Sequence, residues 1–228
     1  MKLLATLLLF LACAIPAVAG LTPAQIKAQK ASHTIYAKAT FEKSGCSSTA
    51  VAPYALLTAS HCEVPSTTVQ VDGKPAIIVA ILRDDNDHSI YLLNGIGFAD
   101  YVEIDEDPLS VGDEVFMFGS PGTFNGLFRK GYVMGLSKEI SPQLAALLEI
   151  FGADVPTAEY YYSFMSSRGD SGAGIFDVNG KLRDVLSFGQ PTDGKPGAPI
   201  VSGGYALEFT QGDFDTMRRF RPEPPPQI

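Results

Sequence analysis

Cysteine and histidine are scarce in this chain. Its 228 residues include only three cysteines and three histidines, with no Cys-x-x-Cys and no paired histidines. That is a poor basis for a zinc site, and neither a metal nor a cofactor is expected. Basic charge is also short, with 17 Lys+Arg against 25 Asp+Glu and a formal charge of −8. An acidic surface opposes phosphate backbones, so nucleic acid is not an expected partner. After the first 19 residues no second long apolar run follows, and no stable membrane association is expected of the mature chain.

Residues 1–19 themselves have the form of an export signal. Lys2 gives a positive start, Leu3 to Ile15 is apolar apart from Thr6, and Ala17-Val18-Ala19 is a small-residue cleavage site. The apolar stretch is shorter than a bilayer span, and Pro16 breaks its end. Leu11-Ala12-Cys13 is only a loose match to a lipid-attachment box, with Phe10 where leucine is usual. The protein is therefore expected to be secreted or periplasmic. Cys13 leaves with the signal, and Cys46 and Cys62 remain as an even pair in an oxidising compartment. A disulfide between them closes a short loop, a constraint of about 3 kcal/mol in the chain-entropy picture. Two free thiols are the alternative.

The body of the chain reads as β structure. Short runs rich in Val, Ile, Phe and Tyr recur at 34–41, 69–71, 77–82, 90–93, 114–118, 174–178 and 205–209, separated by Gly, Pro, Asn and Asp. Asp72-Gly73 and Asn179-Gly180 are hairpin turn signals. This spacing predicts an all-β barrel or sandwich rather than alternating βαβ units. Helices are predicted over 21–30, after Thr22-Pro23, and over 143–151, after Ser141-Pro142. In the latter, Leu144, Leu147, Leu148 and Phe151 would form one apolar face. The proline-rich segment 221–228 is expected to be a disordered tail.

Gly169-Asp170-Ser171-Gly172 offers Ser171 as a nucleophile. His33, His61 and His88 all precede it, so a histidine base must lie upstream of the serine. That excludes the Ser…Asp…His order of α/β-hydrolases, and Ala173 replaces the last glycine of their nucleophile elbow. His61 is the best base. It ends the apolar stretch Leu56-Leu57-Thr58-Ala59, where small neighbours leave room for an imidazole, and Cys62 follows it. His33 reads as a solvated residue near the mature N-terminus, and His88 as structural or surface. Of Asp84, Asp85 and Asp87, the last is nearest the strand and is the candidate orienting carboxylate. Asp84 and Asp85 read as a solvated acidic turn.

These motifs resemble those of the chymotrypsin/trypsin-like serine peptidases. Thr58-Ala59-Ser60-His61-Cys62 is similar to the histidine motif and Gly169-Asp170-Ser171-Gly172 to the serine motif. Asp87-His88-Ser89-Ile90-Tyr91 resembles the aspartate motif, although His88 and Ser89 are atypical there. The Cys46–Cys62 pair resembles the family's histidine-loop disulfide. Val111-Gly112-Asp113-Glu114 and Gly119-Ser120-Pro121-Gly122 resemble the bacterial HtrA-like branch. The resemblance runs from about residue 33 to 212.

The resemblance implies two antiparallel six-stranded β-barrels with minor helices, the first over about 31–108 and the second over about 109–212, within a peptidase domain of 20–220. It implies a His61, Asp87 and Ser171 triad, an oxyanion hole from the backbone N–H groups of Gly169 and Ser171, and a polypeptide substrate. Met165 would lie in the specificity pocket, with Ser187, Phe188 and Gly189 along the cleft.

There are departures from the family pattern. No Arg-Ile-Val-Gly-Gly activation site is present, so Asp170 must find a donor other than a freed N-terminus. Met165 stands where basic specificity requires aspartate, which leaves an apolar or small preference. A catalytically inactive binding protein on the same fold, or an esterase, are the competing readings.

Overall fold

The computed structural model describes residues 20–37, 45–63, 66–122, 124–137, 146, 150, 159–191 and 200–222. Six strands form the first closed barrel: β1 (Ser32–Ala37), β2 (Cys46–Ala52), β3 (Ala55–Ala59), β4 (Thr68–Val71), β5 (Lys74–Arg83) and β6 (His88–Asn94). Their order around it is β1-β2-β3-β6-β5-β4. The second barrel comprises β7 (Glu114–Gly119), β8 (Leu127–Ser137), β9 (Glu159–Tyr162), β10 (Gly174–Asp177), β11 (Leu182–Pro191) and β12 (Ile200–Ala206), ordered β10-β11-β12-β9-β8-β7. All pairings within the barrels are antiparallel.

Local chemistry accounts for several of these elements. Asp72 and Gly73 both have positive φ, 48° and 78°, the mirror-image turn that fits the twist of a tight hairpin between β4 and β5. In β5 the side chains alternate, with Ala76 and Ile78 buried while Ile77 and Val79 face out. That is the period-two pattern of a half-buried strand. β3 is buried along its whole length, because barrel and interface cover both of its faces. The helix predicted over 21–30 is present as α1 (Pro23–Ala31), and Thr22 and Gln25 form its capping box.

Elsewhere the structure differs from the sequence expectations. The run 205–209 is strand only as far as Ala206. A helix that the sequence reading missed follows as α2 (Gln211–Arg219), capped reciprocally by Thr210 and Asp213. Phe214 and Met217 bury its inner face. The helix predicted over 143–151 lies outside the described residues except for Ala146 and Ile150, as does the tail beyond Pro222. No helix among the described residues is long and apolar enough to cross a membrane.

The two barrels share packing. Phe116, Phe118 and Phe176 of the second barrel belong to the same buried cluster as Leu56, Leu57, Ile90 and Leu92 of the first. Phe116 stacks on Phe176 with ring centroids 5.3 Å apart, a favourable aromatic geometry. A second cluster, built on Val115, Met117, Val133, Tyr162, Ile175 and Leu186, fills the interior of the other barrel.

Candidate active site

His61 sits in the 3-10 turn Ser60–Cys62 that follows β3. Cys62 is disulfide-bonded to Cys46 at the start of β2, with Cα atoms 6.2 Å apart, so the turn is fastened to the neighbouring strand. Asp87 lies immediately before β6, which pairs with β3 through Ala59 and His88. This register places the two residues opposite one another.

Asp87 Oδ2 lies 2.7 Å from His61 Nδ1, and Asp87 Oδ1 accepts the His61 backbone N–H at 2.9 Å. The Asp87 backbone carbonyl accepts the Ser60 N–H at 3.0 Å. Asp87 is 1% exposed, whereas the His61 side chain is 27% exposed. Chemically, a buried carboxylate fixes Nδ1 as the protonated nitrogen and leaves Nε2 as the basic one.

Ser171 comes from the second barrel, on the turn ahead of β10. Its carbonyl accepts the Ser47 N–H at 2.8 Å and lies 3.9 Å from Cys62 Sγ, next to the histidine turn. Ser47 also donates its hydroxyl to the Gly169 carbonyl at 2.8 Å and accepts the Ser120 N–H at 2.9 Å. Thr58 Oγ1 closes the set by donating to the Ser47 carbonyl at 2.9 Å. Gly172, at φ 85°, passes so close that a Cβ would come within 2.0 Å of the Ser47 carbonyl oxygen, so only glycine fits there.

The turn before Ser171 is held in one orientation. Gly169 has φ 101°, in the region that favours glycine. The Arg168 carbonyl accepts the Gly122 N–H at 3.2 Å. Because the peptide is trans, the Gly169 N–H points the opposite way, away from the Gly122 loop. Asp170 is fully buried. It accepts from Arg129 Nη1 at 3.0 Å and from the Ser167 N–H at 2.7 Å. Arg129, on β8, thus stands where a freed N-terminus would otherwise be needed. Burial pushes the Asp170 carboxyl up, and the Ser167 N–H and the Arg129 guanidinium only partly offset this. Gly119 leaves the space, since a Cβ there would lie 2.1 Å from Asp170 Oδ1.

Along β11, Ser187 is buried, Phe188 half-buried and Gly189 exposed. From Phe188 to Pro191 the strand pairs with β12. Over this span its other edge has no strand partner among the described residues, because the β10 pairing ends at Val185. The Phe188 ring packs against Tyr205 at 5.4 Å and Tyr161 at 6.1 Å. Met165 is 67% exposed, so it stands open to solvent rather than at the floor of a closed pocket.

Two sequence expectations are corrected. The Asp84 side chain is wholly buried and contacts His88 Nδ1 at 2.6 Å, while Asp85 alone is exposed. His33 is not a solvated residue: its side chain is 16% exposed, pairs with Asp72 at 2.7 Å and packs on Phe98 at 4.8 Å. Ser47 and Arg129 are residues the sequence reading missed. For Ser47 a signal existed, because Ser47-Ser48-Thr49 is a polar run inside an apolar strand, and buried polar groups require partners. Arg129 left no such mark.

Two closed six-stranded barrels, with a His–Asp pair on one and a Gly-Asp-Ser-Gly turn on the other, define the trypsin-like double-barrel fold. Solved structures bear out this class. The inactive form of Rv3671c from M. tuberculosis H37Rv, as a serine-to-alanine mutant, is 19% identical with a TM-score of 0.65 over 92% of this chain and 96% of that one. The HtrA-type protease AlgW, solved with a tripeptide, is 15% identical with a TM-score of 0.65 over 86% of this chain, which spans 62% of AlgW. The MamO protease domain from Magnetospirillum magneticum is 15% identical with a TM-score of 0.58 over 79% and 93%. No family model and no curated protein sequence matches the chain.

Proposed function

We propose that this protein is an exported serine endopeptidase that cleaves polypeptides through His61, Asp87 and Ser171. The observation that carries the reading is the bond from His61 Nδ1 to the buried Asp87 carboxylate, on a double-barrel fold shared with solved serine proteases. Ser171 Oγ attacks the scissile carbonyl carbon and passes its proton to His61 Nε2. The His61 cation is stabilised by Asp87, which keeps its negative charge. The carbonyl oxygen becomes an oxyanion facing the backbone N–H groups of Gly169 and Ser171. His61 then protonates the leaving amine, and the acyl-enzyme on Ser171 is hydrolysed by water that His61 deprotonates.

The bond from the Gly122 N–H to the Arg168 carbonyl supports the oxyanion role, because it turns the Gly169 N–H away from that loop. A donor of this kind is worth about 3 kcal/mol in the barrier. The open edge of Phe188 and Gly189 suits an extended substrate backbone, which would add as a strand beside Ser187. Met165, exposed at the position where trypsin-like enzymes that prefer basic residues carry aspartate, offers no carboxylate to a basic side chain, which leaves an apolar or small preference.

Cleavage of a peptide library by the mature chain tests activity and preference together. Cuts after apolar or small residues, absent from Ser171→Ala, are expected. A cleavage pattern that Ser171→Ala retains in full would overturn the assignment.

A further inference from the structure

We propose that His88 is a positioning residue for the catalytic aspartate: as a buried imidazolium between Asp84 and Asp184, it clamps the turn carrying Asp87 against the second barrel. The inference rests on the reading of Asp87 as the carboxylate that orients His61. The atypical histidine of the aspartate motif thereby acquires a role.

The turn from Asp84 to His88 is bonded both to itself and across the barrel interface. Asp84 Oδ1 accepts the Asn86 N–H at 3.0 Å, and Asp84 Oδ2 faces His88 Nδ1 at 2.6 Å. The same Oδ2 accepts the Glu208 N–H at 3.0 Å, and Asn86 Nδ2 donates to the Ala206 carbonyl at 2.6 Å. Ala206 ends β12 of the second barrel and Glu208 follows it. On the far side of the ring, His88 Nε2 lies 3.8 Å from Asp184 Oδ1 of β11, within ion-pair range but with no hydrogen bond. Asp184 is itself held by the Tyr162 hydroxyl of β9 and by the Val185 N–H at 2.6 Å. Gly204 makes room for it, since a Cβ there would come within 2.2 Å of Asp184 Oδ2. The side chains of Asp84, His88 and Asp184 are all fully buried.

Charge decides what the ring must be. Asp84, Asp87 and Asp184 face it, Tyr162 borders Asp184, and Glu106 from the segment between the barrels faces Asp84. Buried carboxylates without a cation are expensive. A neutral imidazole with its proton on Nδ1 keeps the Asp84 bond but turns a lone pair on Nε2 toward Asp184. The cross-barrel side of the clamp is therefore the side that deprotonation breaks. Burial lowers the His88 pKa, but the Asp84 bond and then the Asp84, Asp184 and Asp87 charges outweigh it and raise the pKa above its ordinary value. The cross-barrel contact is thus lost as pH rises through the raised His88 value.

Two measurements on the full mature chain test this. One is the imidazole titration of His88, followed by NMR alongside the His61 Nδ1–H resonance that reports the bond to Asp87. The other is kcat and KM on peptide substrates across pH for the wild type, Asp184→Asn and His88→Gln. The proposal expects the wild-type kcat to fall on an alkaline limb that coincides with His88 deprotonation, with KM little changed and the His61 resonance lost over the same range. Asp184→Asn should move that limb to lower pH. His88→Gln should abolish it and lower kcat at neutral pH about tenfold or more, the scale of a misplaced catalytic group. An alkaline limb shared by all three proteins overturns the proposal, as does titration of His88 that leaves the His61 resonance unchanged. If the variants do not fold, the two wild-type resonances decide alone. If the wild type cleaves no peptide, the peptidase reading fails, while the resonances still report whether the clamp holds Asp87.

Discussion

Ser47 reacts with nothing in this account, yet its backbone and hydroxyl join four parts of the site. Its N–H, hydroxyl and carbonyl reach Ser171, Gly169, Ser120 and Thr58. A first-barrel residue thereby sets where Ser171, the proposed nucleophile, stands on the second barrel. Arg129 acts at the same scale from the other side, by neutralising the buried Asp170 next to Ser171. Removing one member of a buried pair leaves the other charge uncompensated, at a cost of about 3–5 kcal/mol. Arg129→Met should therefore lower stability by about that much in urea unfolding and depress kcat by disordering the Gly169 to Ser171 turn. Adding Asp170→Asn to that variant should recover most of the stability. If Arg129→Met is as stable as the parent, Asp170 does not depend on the guanidinium.

Among the elements, the 3-10 turn of His61 is the one fixed by covalent chemistry. The disulfide from Cys62 reaches β2 one residue before Ser47, so His61 and the residue that locates Ser171 share one tether. Replacing both cysteines with serine should cost about 3 kcal/mol, read as a lower urea midpoint, with a parallel loss of activity. An unchanged midpoint would show that the strands hold the turn unaided. What could be read from the sequence divides along the same line. The Asp72-Gly73 hairpin, the His61 motif and the Gly-Asp-Ser-Gly turn are legible because each is written in a few adjacent residues. Asp84 was misread because the Glu208 N–H that it accepts lies far along the chain, and an acidic run looks solvated without such a partner. The helix Gln211–Arg219 was missed because it buries only Phe214 and Met217, too short an apolar pattern to stand out. The closed barrels themselves followed from family resemblance, since alternation alone allows a sandwich equally well.

For the molecule as a whole, the interface between the barrels carries both the stacked phenylalanines and the Asp84, His88 and Asp184 cluster, so folding and protonation are linked. Burial pushes Asp184 up to about 7, against an ordinary carboxylate value of 3.8. The native state therefore binds this proton more tightly than the unfolded chain does. The resulting stability is complete below the unfolded value and declines as pH rises from there to about 7. His88, also raised by its Asp84 bond and the surrounding carboxylates, adds a decline of the same sign as pH rises through its own folded value. Urea unfolding from acid to mildly alkaline pH should show a loss of a few kcal/mol, and Asp184→Asn should flatten the acid-to-neutral part. A profile for Asp184→Asn that matches the parent would remove the cluster from the linkage. The central claim, that the pairing of Asp87 with His61 activates Ser171 for acyl chemistry, is tested most directly by fluorophosphonate labelling with mass spectrometry of the modified peptide. The account predicts adduct on Ser171 in the folded wild-type protein, strongly slowed in His61→Ala and absent in Ser171→Ala. Labelling that fails on the folded wild-type chain, or that proceeds equally fast in His61→Ala, would contradict it.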